Sequence, residues 1–207
     1  DEAARTKFAK NIKTVLEKNK LDGIDLDFEW AENEKEYKDY SLAILKMREV
    51  LGDKYLFSVS LHPVCYKISK EAIEAVDFIS LQCYGPSPVR FPIEKYCSDI
   101  QMVLEYGIPK EKLVAGVPFY GVTKDNSKKT EAYFNFVQNG LVTSPAQNEV
   151  IYQGDTYVFD GQDNIRIKTR YAKEQKLKGM MSWDLATDLP LSDSRSLLKT
   201  MTEELRE

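Results

Sequence analysis

Residues 21–30 read LDGIDLDFEW, setting Asp22, Asp25, Asp27 and Glu29 among aliphatic and aromatic side chains. In an extended chain successive side chains point to opposite faces, so Asp25, Asp27 and Glu29 share one face while Ile24, Leu26 and Phe28 share the other. The period of two and the β-favouring residues argue for a strand rather than a helix. A solvated edge strand would account for such a run without any chemistry. Against that, like charges two apart repel, and Lys or Thr would serve solubility equally well. Crowded carboxylates cannot all ionise, so at least one should hold its proton near neutral pH and be able to act as a general acid.

Other reactive residue types carry weaker signals. His62 is the only histidine, precedes Pro63, and has no Ser or Cys nucleophile in a recognisable motif, so a hydrogen-bonded structural role is expected. Cys65, Cys83 and Cys97 are odd in number, widely spaced and without a CxxC pair, and they read as buried fillers rather than a zinc site or a disulfide framework. No metal and no cofactor is expected.

The elements around the acidic run alternate. An amphipathic helix fits residues 4–18, followed by the acidic strand and a second helix over 34–51 with a Tyr37, Tyr40, Ile44, Met47, Leu51 stripe ended by Gly52. Residues 54–62 alternate Leu56, Ser58, Ser60, His62 against Phe57, Val59, Leu61, which predicts a strand closed by Pro63. A helix at 69–75, strand at 77–85, helix at 93–106, strand at 112–121, helix at 165–175, strand at 178–185 and helix at 192–204 continue the rhythm. Strands alternating with helices predict a parallel sheet with right-handed crossovers. The rhythm breaks over 122–162, where a polar stretch, a helix at 132–139 and a hairpin at 151–159 turned at QGD predict an insertion that forms a cleft wall. Five such strands fall short of the eight of a closed (β/α)8 barrel, and no Gly-rich phosphate loop supports an open doubly wound fold.

A length of 207 residues, 43% hydrophobic and 30% charged, describes an ordinary globular protein with a substantial core. A net charge of -4 gives no basic footprint for nucleic acid. No apolar run approaches the roughly 20 residues of a membrane-spanning helix. The opening DEAARTKF is no signal peptide and reads as the middle of a protein.

DGIDLDFE (Asp22 to Glu29) resembles the DGxDxDxE signature of glycoside hydrolase family 18, the chitinases and endo-β-N-acetylglucosaminidases. KLVAGVPFYG (Lys112 to Gly121) and GMMSWD (Gly179 to Asp184) resemble that family's seventh and eighth barrel strands. The resemblance implies a partial TIM (β/α)8 barrel of about strands four to eight, a single portion over residues 1–207 with an insertion at 122–162 after the seventh strand. The first three strands would come from the rest of the chain or a partner chain, since the segment alone leaves both sheet edges unpaired.

It also implies retaining, substrate-assisted hydrolysis of β-1,4 N-acetylglucosamine linkages, in which the substrate's acetamide oxygen is the nucleophile. Carried over residue by residue, Glu29 would be the proton donor, raised in pKa by its acidic neighbours, and later the base. Asp27 would orient the acetamide nitrogen, and Asp25 would share a proton or hydrogen bond with Asp27. Asp22 and Gly23 would fix the strand's start. In LQCYG, Tyr84 would bond the acetamide carbonyl with Gln82 beside it, while Gly85 stands where the family usually has Asp or Asn. Trp183 would floor the sugar, with Trp30 and Tyr120 lining the same cleft. The implied partner is an N-acetylglucosamine-containing oligosaccharide or polysaccharide, and the implied setting is secreted, periplasmic or cell-surface. N-glycan cores are an alternative substrate, and a catalytically inactive chitinase-like sugar-binding protein is an alternative function.

Overall fold

A computed structural model describes residues 1–206. Helix α1 (Glu2–Asn19) is capped by the Asp1 side chain, which accepts from the Ala4 amide, and ends at Lys20 in the left-handed region. Strand β1 (Gly23–Asp27) follows, and then α2 (Glu34–Leu51), which begins where the Asn33 side chain accepts from the Glu36 amide and stops at Gly52 (φ 63°). The chain continues through β2 (Leu56–Leu61), α3 (Lys70–Ala75), β3 (Phe78–Leu81), α4 (Ile93–Tyr106) and β4 (Leu113–Pro118). Next come β5 (Tyr120–Thr123), β6 (Thr130–Ala132), α5 (Tyr133–Gln138), β7 (Glu149–Tyr152) and β8 (Asp155–Val158). Helix α6 (Gln162–Glu174), strand β9 (Gly179–Trp183) and helix α7 (Leu197–Arg206) complete the order.

Five strands form one parallel sheet in the order β1-β2-β3-β4-β9. Each strand lies beside the preceding one of the series, with no reversal of direction across the sheet, as in a barrel wall and unlike a doubly wound sheet. Phe57, Val59, Leu61, Ile79, Leu81, Leu113, Ala115 and Val117 point to one face and are buried in the main core with Ile44, Met47, Ile100 and Val103 of the helices. Residues of opposite parity, among them Asp25, Asp27, Ser58, Ser60, Ser80 and Met181, face the other side. Strands β1 and β9 are the two edges, and neither has a further partner strand among the described residues.

The second sheet is antiparallel, order β6-β5-β8-β7, with β7 and β8 joined by a two-residue turn whose Gln153 and Gly154 both have positive φ, the geometry that suits a tight hairpin. Phe136 anchors it, 5.4 Å from the rings of both Tyr157 and Phe159.

Several expected boundaries move. The strand expected over 112–121 stops at Pro118; Phe119 donates its amide to the Trp183 carbonyl at 2.8 Å, and Tyr120 already belongs to the second sheet. The helix expected from 192 begins at Leu197, because Asp188 accepts from the amides of Leu197 (3.0 Å) and Leu198 (2.9 Å) and fixes the start there. The strands expected over the acidic run and over 77–85 are only Gly23–Asp27 and Phe78–Leu81, so Glu29, Gln82 and Tyr84 stand on the loops just past their carboxyl ends.

Candidate active site

The carboxyl ends of the parallel strands open into a cleft of about 650 Å³. Asp25, Asp27, Glu29, Trp30, Gln82, Tyr84, Tyr120 and Trp183, separated in sequence by as many as 158 positions, all line it. Strand β1 is pinned beside β2 from its first residue: the Leu56 amide donates to the Asp22 carbonyl at 3.0 Å, and a Cβ on Gly23 would fall 2.2 Å from the Leu56 carbonyl oxygen. Only glycine admits that approach.

Register sets the acidic row. Asp25 pairs with Ser58 and Asp27 with Ser60 across β1 and β2. Both serine hydroxyls donate to Asp25, Ser58 to Oδ1 at 2.6 Å and Ser60 to Oδ2 at 2.7 Å. Gln82 reaches across from the loop just past β3 and donates through Nε2 to Asp27 Oδ1 (3.2 Å) and Glu29 Oε1 (3.4 Å), tying the two upper acids together. Sequence reasoning set Ser58 and Ser60 on one face without a role; their alternation with Phe57, Val59 and Leu61 was the available signal.

Of the three acids, Asp27 is the one whose carboxyl is raised. Withdrawal from solvent, the charges of Glu29 and Asp25, and a hydrogen bond shared with Glu29 push its carboxyl up to about 6. Burial likewise pushes the Tyr84 phenol far above its ordinary value, so it remains a neutral donor at any ordinary pH. The row is nonetheless open along the β1 edge, where all three acids keep much of their surface in solvent, so the withdrawal of Asp27 is only partial. Trp183 presents its indole at the opposite sheet edge, 56% exposed.

His62 also lines the cleft, and both its ring nitrogens are hydrogen-bonded. Its Nδ1 accepts from the Val64 amide (3.2 Å), so Nε2 carries the proton and donates to the Tyr84 carbonyl (3.1 Å). The imidazole also lies 5.0 Å from the Trp30 ring. Burial lowers its pKa, which keeps the ring neutral. The Ala31 amide donates to Cys65 Sγ at 3.2 Å, which anchors the loop carrying Trp30. Tyr120 donates its hydroxyl to the Gly85 carbonyl at 3.3 Å and meets the Tyr84 ring edge-on at 6.4 Å. Among the described residues no His, Cys, Asp or Glu cluster could hold a metal ion.

The family model for Glycosyl hydrolases family 18 matches residues 1–188. The chain belongs to that family. Its relatives include a probable chitinase 2 of Drosophila melanogaster, 23% identical over 248 residues that cover 89% of this chain and 51% of the relative. The family 18 chitinase ChiB from the chitin utilization locus of Flavobacterium johnsoniae superposes with a TM-score of 0.81 at 27% identity, covering 99% of this chain and 66% of that one. A chitinase-like agglutinin of Robinia pseudoacacia shares the fold at 18% identity and a TM-score of 0.80, covering 99% of this chain and 74% of the agglutinin. This family 18 chain thus spans about half the length of the curated relative and 66% and 74% of these two solved chains. No helix among its described residues is long and apolar enough to cross a membrane.

Proposed function

We propose that the protein containing this chain hydrolyses β-1,4 linkages between N-acetylglucosamine units, in chitin or its oligosaccharides, with retention of configuration and with the substrate's own acetamide as the nucleophile. The observation that carries the reading is the row Asp25, Asp27, Glu29 on one wall of the cleft, with the Asp27 carboxyl within hydrogen-bond reach of Glu29 and raised to about 6. Among the described residues no other carboxylate lines the cleft, so a nucleophile from the opposite face of the sugar is not at hand in this part of the protein. The acetamide oxygen fills that role, as in the substrate-assisted exception to the two-carboxylate rule. Family membership and relatives named as chitinases support the same conclusion.

In this mechanism the proton shared by Asp27 and Glu29 passes from Glu29 to the glycosidic oxygen. The acetamide carbonyl oxygen attacks the anomeric carbon and the bond to the leaving oxygen breaks, giving an oxazolinium. Asp27 then accepts from the acetamide N–H and offsets the positive charge, while Asp25, held by two serine hydroxyls, keeps Asp27 in line. Tyr84 donates to the acetamide carbonyl, and Trp183 lies flat beneath the ring. Glu29, now a carboxylate, takes a proton from water as the water opens the oxazolinium from the face first left.

The five parallel strands are read as the fourth to eighth of a (β/α)8 barrel, with the remaining three supplied by other parts of the chain or a partner chain. Sequential strand order and two open parallel edges support this. The segment 122–162 is read as an insertion after the seventh strand, forming the wall on which Tyr120 stands. A polymeric substrate, which does not cross a membrane intact, supports a secreted, periplasmic or cell-surface setting.

The test is turnover of an N-acetylchitooligosaccharide by the full protein and its Glu29→Gln variant, run beside an N-glycan substrate. The variant should bind the oligosaccharide and fail to cleave it; equal turnover by both proteins would defeat the assignment. A second reading, sugar binding without cleavage, is favoured by the bare Gly85 and by the agglutinin's shared fold. It predicts binding with no turnover by either protein.

A further inference from the structure

Tyr84 is held at its tip by a residue the reaction does not consume. Strands β4 and β9 pair with Gly116 opposite Met181, directly beneath the Tyr84 ring. The phenol hydroxyl donates to Met181 Sδ at 3.7 Å. A Cβ on Gly116 would fall 2.9 Å from Tyr84 Cε1, 3.0 Å from Met181 Cε and 2.7 Å from the Leu81 carbonyl oxygen. Gly116 has no positive φ, so glycine is needed there for room rather than for backbone freedom. The three residues form one packed unit across the loop after β3, strand β4 and strand β9, assembled from positions 84, 116 and 181.

The chemistry of the acceptor matters. Tyr84 is 6% exposed, and a buried hydroxyl left without a partner is costly. A carboxylate or carbonyl in Met181's place would satisfy it but compete with the substrate's carbonyl oxygen. A thioether is a weak acceptor. It holds the hydroxyl in the empty cleft and gives it up at little cost.

We propose that Met181 is a positioning residue, whose sulfur parks the Tyr84 hydroxyl for exchange onto the substrate's carbonyl oxygen, and that Gly116 exists to let the two side chains meet. This rests on the hydrolase reading above, in which Tyr84 contacts the acetamide. The same arrangement serves any ligand that presents a carbonyl oxygen to Tyr84.

The experiment is a double-mutant cycle in the full protein with an N-acetylchitooligosaccharide, using Met181→Leu, Tyr84→Phe and the double variant. Leucine keeps the volume of methionine but accepts no hydrogen bond. Met181→Leu should lower kcat/KM about fivefold, the size of one modest hydrogen bond, chiefly through KM, because the sulfur holds the hydroxyl only in the empty cleft. In the Tyr84→Phe background the same substitution should change kcat/KM less than about 1.5-fold, since a residue acting through the hydroxyl has nothing left to act on. A purely structural role predicts equal losses in both backgrounds, and that result, or no loss in either, overturns the proposal. A wild type that binds without cleaving defeats the hydrolase reading alone, and the same cycle on Kd then decides for or against Met181. A wild type that neither binds nor cleaves defeats both.

Discussion

Lys168 and Asp160 form an ion pair 2.5 Å apart with neither side chain exposed. The ammonium group also donates to the Phe91 carbonyl at 2.9 Å and lies 5.5 Å from the Tyr96 ring centroid. Phe91 in turn meets Tyr120 edge-on at 6.3 Å. One buried pair thus ties the end of the second sheet to helix α6 and to the loop behind the cleft wall. Removing one partner of such a pair leaves a buried charge uncompensated. Lys168→Met should therefore destabilise the protein by about 3–5 kcal/mol, roughly 10 °C in Tm, as read by thermal denaturation. Lys168→Met combined with Asp160→Leu should recover much of the loss.

The pH profile follows from Asp27. Its carboxyl is raised to about 6, so the proton shared with Glu29 is present below that pH and lost above it. We expect kcat/KM to fall as pH rises through about 6. Asp25→Asn removes one of the charges that raise Asp27 and should move this alkaline limb to lower pH; an unmoved limb would contradict the coupling. The same shift favours the folded state below the ordinary value of 3.8, and that contribution is lost as pH rises through about 6.

Trp183 lines the cleft with 56% of its surface exposed. Trp183→Ala should leave Tm nearly unchanged and reduce kcat/KM roughly tenfold or more, the loss of about 1.4 kcal/mol or more of sugar stacking. A large drop in Tm with unchanged kinetics would make the indole a structural residue instead.

His62 joins the loops that carry Trp30 and Tyr84. His62→Ala leaves the Tyr84 carbonyl and the Val64 amide without their partner and should cost about 2 kcal/mol or more, measured by denaturant unfolding. His62→Gln restores a donor toward the Tyr84 carbonyl and should recover part of that stability. Rescue by Gln would exclude an essential proton-transfer role for the imidazole.

Much of this arrangement was legible in the chain because alternation is a local property. The parity that sets Asp25 and Asp27 on one face of their strand, and Ser58, Ser60 and His62 on one face of theirs, needs only an extended backbone; that the two faces coincide does not follow from it. Helix α2 (Glu34–Leu51) falls where its stripe and the stop at Gly52 predict it, and helix α4 (Ile93–Tyr106) falls over the range expected from the alternation of elements. The family signature added what alternation cannot, the chemistry expected of Glu29 and Tyr84.

The sequence by itself thus determined which residues share a face and in what order helices and strands follow. Tertiary structure alone decided the rest, because it depends on register and on contacts between distant positions. Pairing of β1 with β2 gave Asp25 two serine donors. The shape of the cleft and the charges of Glu29 and Asp25 put the raised pKa on Asp27. A bend at Phe119 moved Tyr120 into the second sheet, and the meeting of Tyr84 with Met181 spans 97 positions that no local pattern connects. Side-chain direction follows from the backbone repeat, whereas a hydrogen-bond partner is fixed only when strands from different parts of the chain settle side by side.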